Sequence, residues 1–209
     1  MSNKKIEFLI AVIIIAVIAA VSYVAIQRNN SNTASNAKNP VGALSKYIDQ
    51  QYGFQIIYPA TLSASSTFSS SYLLPNSWNI NAKGSAGDQI VDIIYPESNE
   101  VLSAEIRIGG STEPSGVGSC FSFDKNFATS TVMINGIRFV RSISSDAAMS
   151  HFSNVTSFRT LHNGACIAID EVISGTNPDV YDPPRSLPFD KILSGAILDN
   201  VVASFTFII

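Results

Sequence analysis

The sequence predicts an α+β fold, in which an antiparallel β-sheet is covered by helices and preceded by one N-terminal transmembrane helix. Three observations lead to this prediction. Residues 8–26 contain no charged residue, Gly or Pro. Two Asn-Gly pairs each separate two runs with strand character. Residues 189–201 repeat apolar side chains with a helical period.

The apolar run of residues 8–26 is long enough to cross a bilayer. As a helix, its nineteen residues would extend about 28 Å, close to the hydrocarbon thickness of ~30 Å. A cleavable signal peptide is an alternative, although the run exceeds the ~7–15 residues usual for its apolar region. A buried core helix is another, although such helices normally have a polar face. We therefore expect residues 1–27 to be a cytoplasmic tail and an uncleaved signal anchor.

Lys4 and Lys5 favour a cytoplasmic N-terminus, since positive charge favours that side, although Arg28 and Lys38 beyond the run weaken this bias. The two cysteines, described below, decide for this orientation. Residues 28–41 have almost no apolar content, which indicates a flexible spacer. Residues 42–209 are then expected to form an extracytoplasmic α+β domain. The predicted location is the cytoplasmic membrane, crossed once, with the C-terminal domain on the extracytoplasmic face.

A disulfide is expected between Cys120 and Cys166, the two cysteines of the chain, because thiols outside the cytoplasm usually pair. The bridge would close a loop of 46 residues, for which chain entropy gives about 4 kcal/mol of stabilisation. In a reducing compartment the same residues would be buried thiols. No metal site is predicted, since His151 and His162 have no ligand spacing relative to the cysteines.

The domain is predicted to begin with a short helix and a strand. Apolar residues at i, i+3 and i+4 predict the helix within residues 42–52. In the strand, Phe54, Ile56 and Tyr58 share one face, and Pro59 ends the run.

Further strands are predicted from alternation or dense apolar runs: residues 89–95, 104–108, 131–134, 137–142, 155–161 and 165–173. Turns with positive φ are expected at the Asn-Gly pair of residues 135–136 and at the His-Asn-Gly of residues 162–164. Glu105 and Arg107 are expected to point outward, and residues 170–171 are expected to be an outward polar step or a sheet edge blunted by charge.

The clearest helix signal lies in residues 189–201. Its expected buried stripe consists of apolar residues: Phe189, Ile192, Leu193, Ala196, Ile197 and Val201. Asp190 falls in the first turn, where the helix dipole favours an acid. A short strand with Phe205 and Phe207 is expected to follow. Residues 145–152, between the two hairpins, are expected to form a short helix or a loop.

The beginning and the end of the domain resemble the PsbP-like fold family, which includes extrinsic photosystem II proteins and Ran-binding relatives. Residues 52–59, YGFQIIYP, are similar to its opening motif, and the helix followed by residues 203–207, ASFTF, is similar to its ending. Thr61 and Leu62 depart from the pattern, because a Trp commonly follows the opening motif. The layout of anchor, spacer and domain also resembles bacterial membrane-anchored extracytoplasmic proteins. The resemblance implies a sandwich fold that binds other macromolecules and does not catalyse.

No catalytic or cofactor signature is found in the sequence. A G-x-S-x-G nucleophile motif, a phosphate-binding glycine loop and a calcium-loop pattern are all absent. From Asn29 onward acidic residues outnumber basic residues by five. This charge argues against nucleic acid as a partner, because nucleic-acid binders need a basic face.

The best candidate for partner binding is the loop of residues 175–188. Its candidate residues are Asp179, Tyr181, Asp182, Pro183 and Pro184. A proline-flanked aromatic residue is the kind of rigid group that interfaces use, although an ordinary surface connection is the alternative.

These observations favour a non-enzymatic, membrane-tethered binding or interaction domain. Its partner would be the membrane together with an envelope protein, and the identity of any small-molecule ligand stays open. One alternative is an envelope hydrolase with an unrecognised site that uses His151 or His162. Another is a structural subunit of a pilin-like assembly.

Overall fold

The computed structural model describes the domain that follows the predicted spacer. The described ranges are residues 42–68, 73–82, 84–123 and 127–208. They belong to one structural unit, Gly42–Ile209. The predicted tail, anchor and spacer, residues 1–41, lie outside the described residues. Within the described ranges, no helix is both long and apolar enough to cross a membrane.

Ten strands and two α-helices are found in the described residues. The strands are β1 (Leu44–Asp49), β2 (Phe54–Pro59), β3 (Ser63–Ser65), β4 (Asp88–Ile94), β5 (Leu102–Ser111), β6 (Thr129–Ile134), β7 (Ile137–Ala148), β8 (His151–His162), β9 (Ala165–Thr176) and β10 (Thr206–Phe207). The helices are α1 (Pro114–Gly118) and α2 (Lys191–Ala203), and a 3-10 turn spans Pro178–Val180.

The strands form two antiparallel sheets, which confirms the predicted antiparallel α+β class. The small sheet has the order β1-β2-β10, and the large sheet has the order β3-β4-β5-β9-β8-β7-β6. Much of the layer that covers the large sheet is therefore the small sheet, accompanied by the single long helix α2. The predicted cover by helices is thus found in part, as α2, whereas the small sheet in this layer was not predicted.

The large sheet has two faces, because alternate residues of a strand point in opposite directions. The core face, which includes Ile106 and Ile169, packs against β2, α2 and Phe205. The cleft face, which includes Arg107 and Asp170, contacts Pro75 and the backbone that follows it. The largest fully buried apolar side chains are Phe54, Phe139, Phe205, Ile56, Ile93, Leu102, Ile106, Ile108, Ile167, Ile169 and Leu198.

Both predicted Asn-Gly turns are confirmed. Asn135 and Gly136 have φ values of 48° and 79°, and Asn163 and Gly164 have 48° and 80°. Positive φ at both central positions is the requirement of a type I′ turn, which matches the twist of the flanking strands.

Residues 145–152 form neither the helix nor the loop expected from the sequence. β7 continues to Ala148, β8 begins at His151, and Met149 and Ser150 make the turn between them. The partner strand β9 is twelve residues long, so the ladder between β8 and β9 has backbone partners along its whole length. Those hydrogen bonds override the weak local preference of the segment.

The short helix expected within residues 42–52 was also wrong. Leu44–Asp49 is strand β1, paired in register with β2 from Leu44 opposite Pro59 to Asp49 opposite Phe54. Tyr47 packs on Phe54 with a ring-centroid separation of 6.2 Å. A six-residue segment satisfies more backbone groups by pairing with a neighbouring strand than by forming an isolated helical turn.

Helix α2 is confirmed, but its buried side differs from the expected stripe. The buried residues are Ser194, Leu198, Val201 and Val202, whereas Ile192 and Leu193 are 86% and 56% exposed. Phe189 lies before the helix and packs on Tyr95, with centroids 4.6 Å apart. This contact anchors the residue that precedes the helix. The first turn of α2 then leaves Ile192 exposed to solvent.

Candidate functional site

A cleft of about 480 Å³ lies on the cleft face, where β5 and β8 begin and β9 ends. Its apolar lining consists of Leu73, Leu74, Ile94 and Phe152. Its hydroxyl groups come from Ser98, Ser103, Ser174 and Thr176. The cleft therefore combines an apolar wall with a set of hydrogen-bonding groups, which is the usual composition of a small-molecule or peptide site.

The floor of the cleft is formed by a buried ion pair on β5. Nε of Arg107 donates to Oε1 of Glu105 at 2.6 Å, and Nη2 lies 2.5 Å from the same oxygen. Nη1 donates to the carbonyl of Pro75 at 3.3 Å, and the guanidinium lies over the ring of Phe68. Asp92 is the neighbour of Arg107 in the register of β4 and β5.

The expectation that Glu105 and Arg107 point to solvent was wrong. They are only 2% and 5% exposed, because Pro75 and the neighbouring residues fold over this face of the sheet. Buried charges require partners, and residues two apart on a strand share one face, so each supplies the partner of the other.

A second buried ion pair lies further along the cleft face. Nη2 of Arg159 donates to Oδ1 of Asp170 at 2.7 Å, and the hydroxyl of Ser157 donates to the same oxygen at 2.7 Å. Oδ2 of Asp170 accepts the backbone N–H of Ile80 at 2.9 Å. Asp170 therefore connects the sheet to the segment that covers it, and the expectation of an outward Asp170 was wrong.

The disulfide between Cys120 and Cys166 is confirmed, with the two Cα atoms 5.6 Å apart. It joins the turn after α1 to β9 and packs with Trp78, Ala82 and Ala168. The bridge and the Asp170 contacts together hold residues 73–82, the covering segment, on the cleft face.

The backbone of the covering segment lies directly on β5. A Cβ atom at Gly109 would be 1.9 Å from the carbonyl oxygen of Trp78, so only glycine fits at this position. The indole of Trp78 donates to the carbonyl of Ser85 at 3.0 Å. Trp78 is thus held by its backbone and by its side chain.

The two histidines lie in different places. His151 lines the cleft, with Nδ1 3.0 Å from Oγ1 of Thr176. His162 lies at the opposite end of β8, where its ring stacks on Phe207 with centroids 3.5 Å apart. The cleft therefore brings one histidine together with a threonine hydroxyl and with Glu100 and Glu105 in its lining.

The loop proposed for partner binding lies beside the mouth of the cleft. Arg185 forms an ion pair with Glu100, which lines the cleft, and its guanidinium is 4.1 Å from the ring centroid of Tyr181. The side-chain oxygen of Asn177 accepts the N–H of Asp179 at 3.1 Å. Tyr181 is half-buried, whereas the remaining candidates are exposed: Asp179, Asp182, Pro183 and Pro184.

A carboxyl pair lies away from the cleft, on the core face. Burial raises the pKa of Glu171 to about 8, and the charge and hydrogen bond of Asp199 on α2 add to this rise, while Arg141 opposes it. Glu171 is 8% exposed, so the expectation that it points outward was wrong. Its place in the dense apolar run of residues 165–173 is the signal that indicated burial.

Among the described residues, no cluster of three or more His, Cys, Asp and Glu side chains is placed to hold a metal ion. The cleft was not found from the sequence, since its lining comes from β4, β5, β8, β9 and a segment before β4. Alternation alone identified Glu105 and Arg107 as one face of a strand without showing that another segment covers them.

No family model matches the chain, and no curated protein matches it. Among solved structures, it is similar to the cyanobacterial PsbP protein CyanoP from Synechocystis sp. PCC 6803, with 14% identity over 83% of this chain and 98% of that chain and a TM-score of 0.45. A Bacteroides thetaiotaomicron protein matches with 11% identity over 78% of this chain and 47% of that chain, with a TM-score of 0.43.

LpqN of Mycobacterium tuberculosis, described as involved in cell envelope biogenesis, matches with 8% identity over 82% of this chain and 88% of that chain, with a TM-score of 0.37. One of these structures, CyanoP, bears the PsbP name of the fold family that the sequence resembles.

Proposed function

We propose that this chain is a non-catalytic binding domain, tethered to the cytoplasmic membrane by residues 8–26 and exposed on the extracytoplasmic side, which takes its ligand in the cleft. The observation on which this rests is the composition of the cleft, with its apolar wall, its hydroxyl groups and its buried ion pair. A concave site with a few convergent polar groups is the default position for ligand binding.

The chemistry of the cleft favours a neutral ligand with an apolar part. Glu105 and Arg107 form an ion pair at the floor, so the guanidinium is already engaged by a carboxylate and is not offered alone to an anionic ligand. Leu74 and Phe152 offer apolar contact, and Ser103 offers a hydroxyl in the same space. An uncharged peptide segment with one aromatic or aliphatic side chain meets these requirements.

The location is supported by the sequence and the disulfide together. Residues 8–26 have the length of a membrane span, and the Cys120–Cys166 bridge is typical of oxidising compartments outside the cytoplasm. Protease treatment of intact spheroplasts should digest the domain of the full chain and spare only a short N-terminal fragment. Complete protection of the domain until the membrane is dissolved would contradict the proposed orientation.

Ligand binding is tested with uncharged capped amino acids, such as N-acetyl-phenylalaninamide and N-acetyl-leucinamide, added to the full chain in detergent. Ser103→Trp fills the cleft, whereas Ser145→Trp places the same side chain at an exposed position of β7 outside it. We expect ligand-observed NMR to detect binding to the native chain and to Ser145→Trp, and not to Ser103→Trp. Equal binding to both variants would contradict the assignment of the cleft.

A second candidate function, an envelope hydrolase, is favoured by one contact. His151 Nδ1 lies 3.0 Å from the hydroxyl of Thr176 within the cleft, which is within the reach that a general base needs. Hydrolysis of ester or amide substrates that disappears in His151→Ala and persists in His162→Ala would establish this function in place of simple binding. No turnover by the native chain would leave binding as the function of the cleft.

A further inference from the structure

The edge strand β6 has an unusual composition. It spans Thr129–Ile134, reads TSTVMI and forms one edge of the large sheet. It contains no charged residue and no proline, although proteins normally protect exposed edges by such residues or by keeping the edge strand very short. The other edges of the described sheets have this protection, since β3 and β10 have three and two residues and β1 contains Lys46 and Asp49.

The outer side of β6 presents free backbone groups. The turn at residues 135–136 makes Ile134 and Ile137 a hydrogen-bonded pair, and such pairs alternate along an antiparallel ladder. The N–H and C=O groups of Thr129, Thr131 and Met133 therefore point away from β7. Within the described part of the chain, no hydrogen bond reaches these groups from any other segment. Their side chains are exposed as well.

We propose that β6 pairs antiparallel with β6 of a second copy of this chain, about a two-fold axis at Thr131. Thr131 then faces its own counterpart, and Thr129 faces Met133 of the second copy. Three residues on each strand, with one N–H and one C=O each, make six backbone hydrogen bonds across the axis. The two large sheets become one continuous sheet.

A second copy fits this edge because β6 is complementary to itself. The facing side chains are Thr with Thr and Thr with Met, so no like charges meet, and Thr–Thr pairs across strands are favourable. Arg138 of β7 lies opposite Met133, on the same face of the sheet as Thr131. The two Met133 residues are about 13 Å apart along the strands, beyond the screening length of ~10 Å at 0.1 M salt. The arginines of the two copies therefore do not oppose each other.

The two-fold register makes a sharp prediction for cross-linking. Directly opposed residues of such a pair have Cα atoms ~5.5 Å apart, within the range of ~4.4–6.8 Å that a disulfide spans. In the full chain in its membrane, Thr131→Cys should therefore form an intermolecular disulfide on mild oxidation, with the dimer as the main species on a non-reducing gel. The buried Cys120–Cys166 bridge leaves the new thiol as the reactive one.

Thr129→Cys is the matched control, because it lies on the same strand and the same face. Its counterpart in the second copy is about 13 Å away by the same register, so this variant should stay monomeric. Differently tagged chains with Thr129→Cys and Met133→Cys should cross-link to each other when mixed. Equal cross-linking of Thr131→Cys and Thr129→Cys, or none by Thr131→Cys, would overturn the proposal.

Charged substitutions at Thr131 test whether the partner strand is a second copy of this chain or another segment. Thr131→Lys places two ammonium groups together, so the dimer should be lost in light scattering while the circular dichroism spectrum of the folded chain is unchanged. Mixing Thr131→Lys with Thr131→Glu chains should restore the dimer. A Thr131→Cys thiol that resists maleimide in a monomer would mean that another segment covers the edge, and would overturn the proposal.

Discussion

Charged residues buried on the two faces of the large sheet avoid the cost of burial in different ways. On the cleft face, Arg107 and Arg159 are each neutralised by a carboxylate within hydrogen-bonding distance. On the core face, Glu171 keeps its proton, because burial and the nearby carboxyl of Asp199 raise its pKa to about 8. Pairing and protonation are the two ways in which a group that cannot reach water removes its net charge.

The protonation of Glu171 makes the stability of the domain depend on pH. Its folded pKa of about 8 lies above the ordinary value of 4.5, so folded chains hold a proton that unfolded chains release between these two values. The free energy of unfolding therefore falls as the pH rises from about 4.5 to about 8, by a few kcal/mol at ~1.4 kcal/mol per pKa unit. Glu171→Gln should remove this contribution, as urea unfolding at pH 5 and at pH 8 will measure.

The groups that surround Glu171 suggest a control variant for the Glu171→Gln experiment. Asp199 raises its pKa and Arg141 lowers it, while its cross-strand neighbours are Ile106 and Thr156. Asp199→Asn removes the second cause but leaves burial, so the decline in stability should end at a lower pH without vanishing. An unchanged pH slope in Glu171→Gln would show that another group is responsible.

At the scale of elements, the start of helix α2 depends on one side chain. Oδ1 of Asp190 accepts the N–H groups of Ile192 and Leu193 at 2.8 and 3.0 Å. Asp190→Ala leaves both donors without this partner and should lower the free energy of unfolding by ~1 kcal/mol. Asp190→Asn keeps an oxygen at the same place and should stay within a few tenths of the native value. Chemical denaturation of the three chains compares them, and equal losses in both variants would exclude the capping role.

The elements predicted well from the sequence are those that local chemistry determines. The turns at residues 135–136 and 163–164 were predicted because Asn-Gly accepts positive φ wherever it stands. The strand β1 and the buried side of α2 were mistaken because each depends on a partner far away in the sequence, β2 for one and the Phe189 contact with Tyr95 for the other.

The cleft, like β1 and the buried side of α2, depends on contacts between distant segments of the chain. Its lining comes from segments between Leu73 and Thr176, and no single segment contains enough of it to be recognised. The sequence could show that Glu105 and Arg107 share a face, but not that residues 73–82 cover that face. The loop near Tyr181 was singled out for its composition, and the structure places it next to the cleft mouth through Arg185 and Glu100.

At the scale of the whole molecule, the Cys120–Cys166 bridge closes a loop that includes β6, β7 and β8. Its loss frees 46 residues in the unfolded chain, so Cys120→Ala with Cys166→Ala should lower the free energy of unfolding by about 4 kcal/mol. Urea unfolding of the oxidised native chain and of the double variant measures the difference. Reductant should affect only the native chain, and identical midpoints would contradict the expected stabilisation.

The close approach of Trp78 to Gly109 limits how molecules exchange with the interior. The covering segment lies directly on β5 at Gly109 and packs against the Cys120–Cys166 bridge through Trp78 and Ala82, so these contacts hold it on the sheet. A ligand of the proposed cleft would therefore enter and leave past the lining at His151 and Glu100, where the exposed Arg185–Glu100 contact lies. Dissociation should accordingly quicken with ionic strength, because salt weakens that exposed contact.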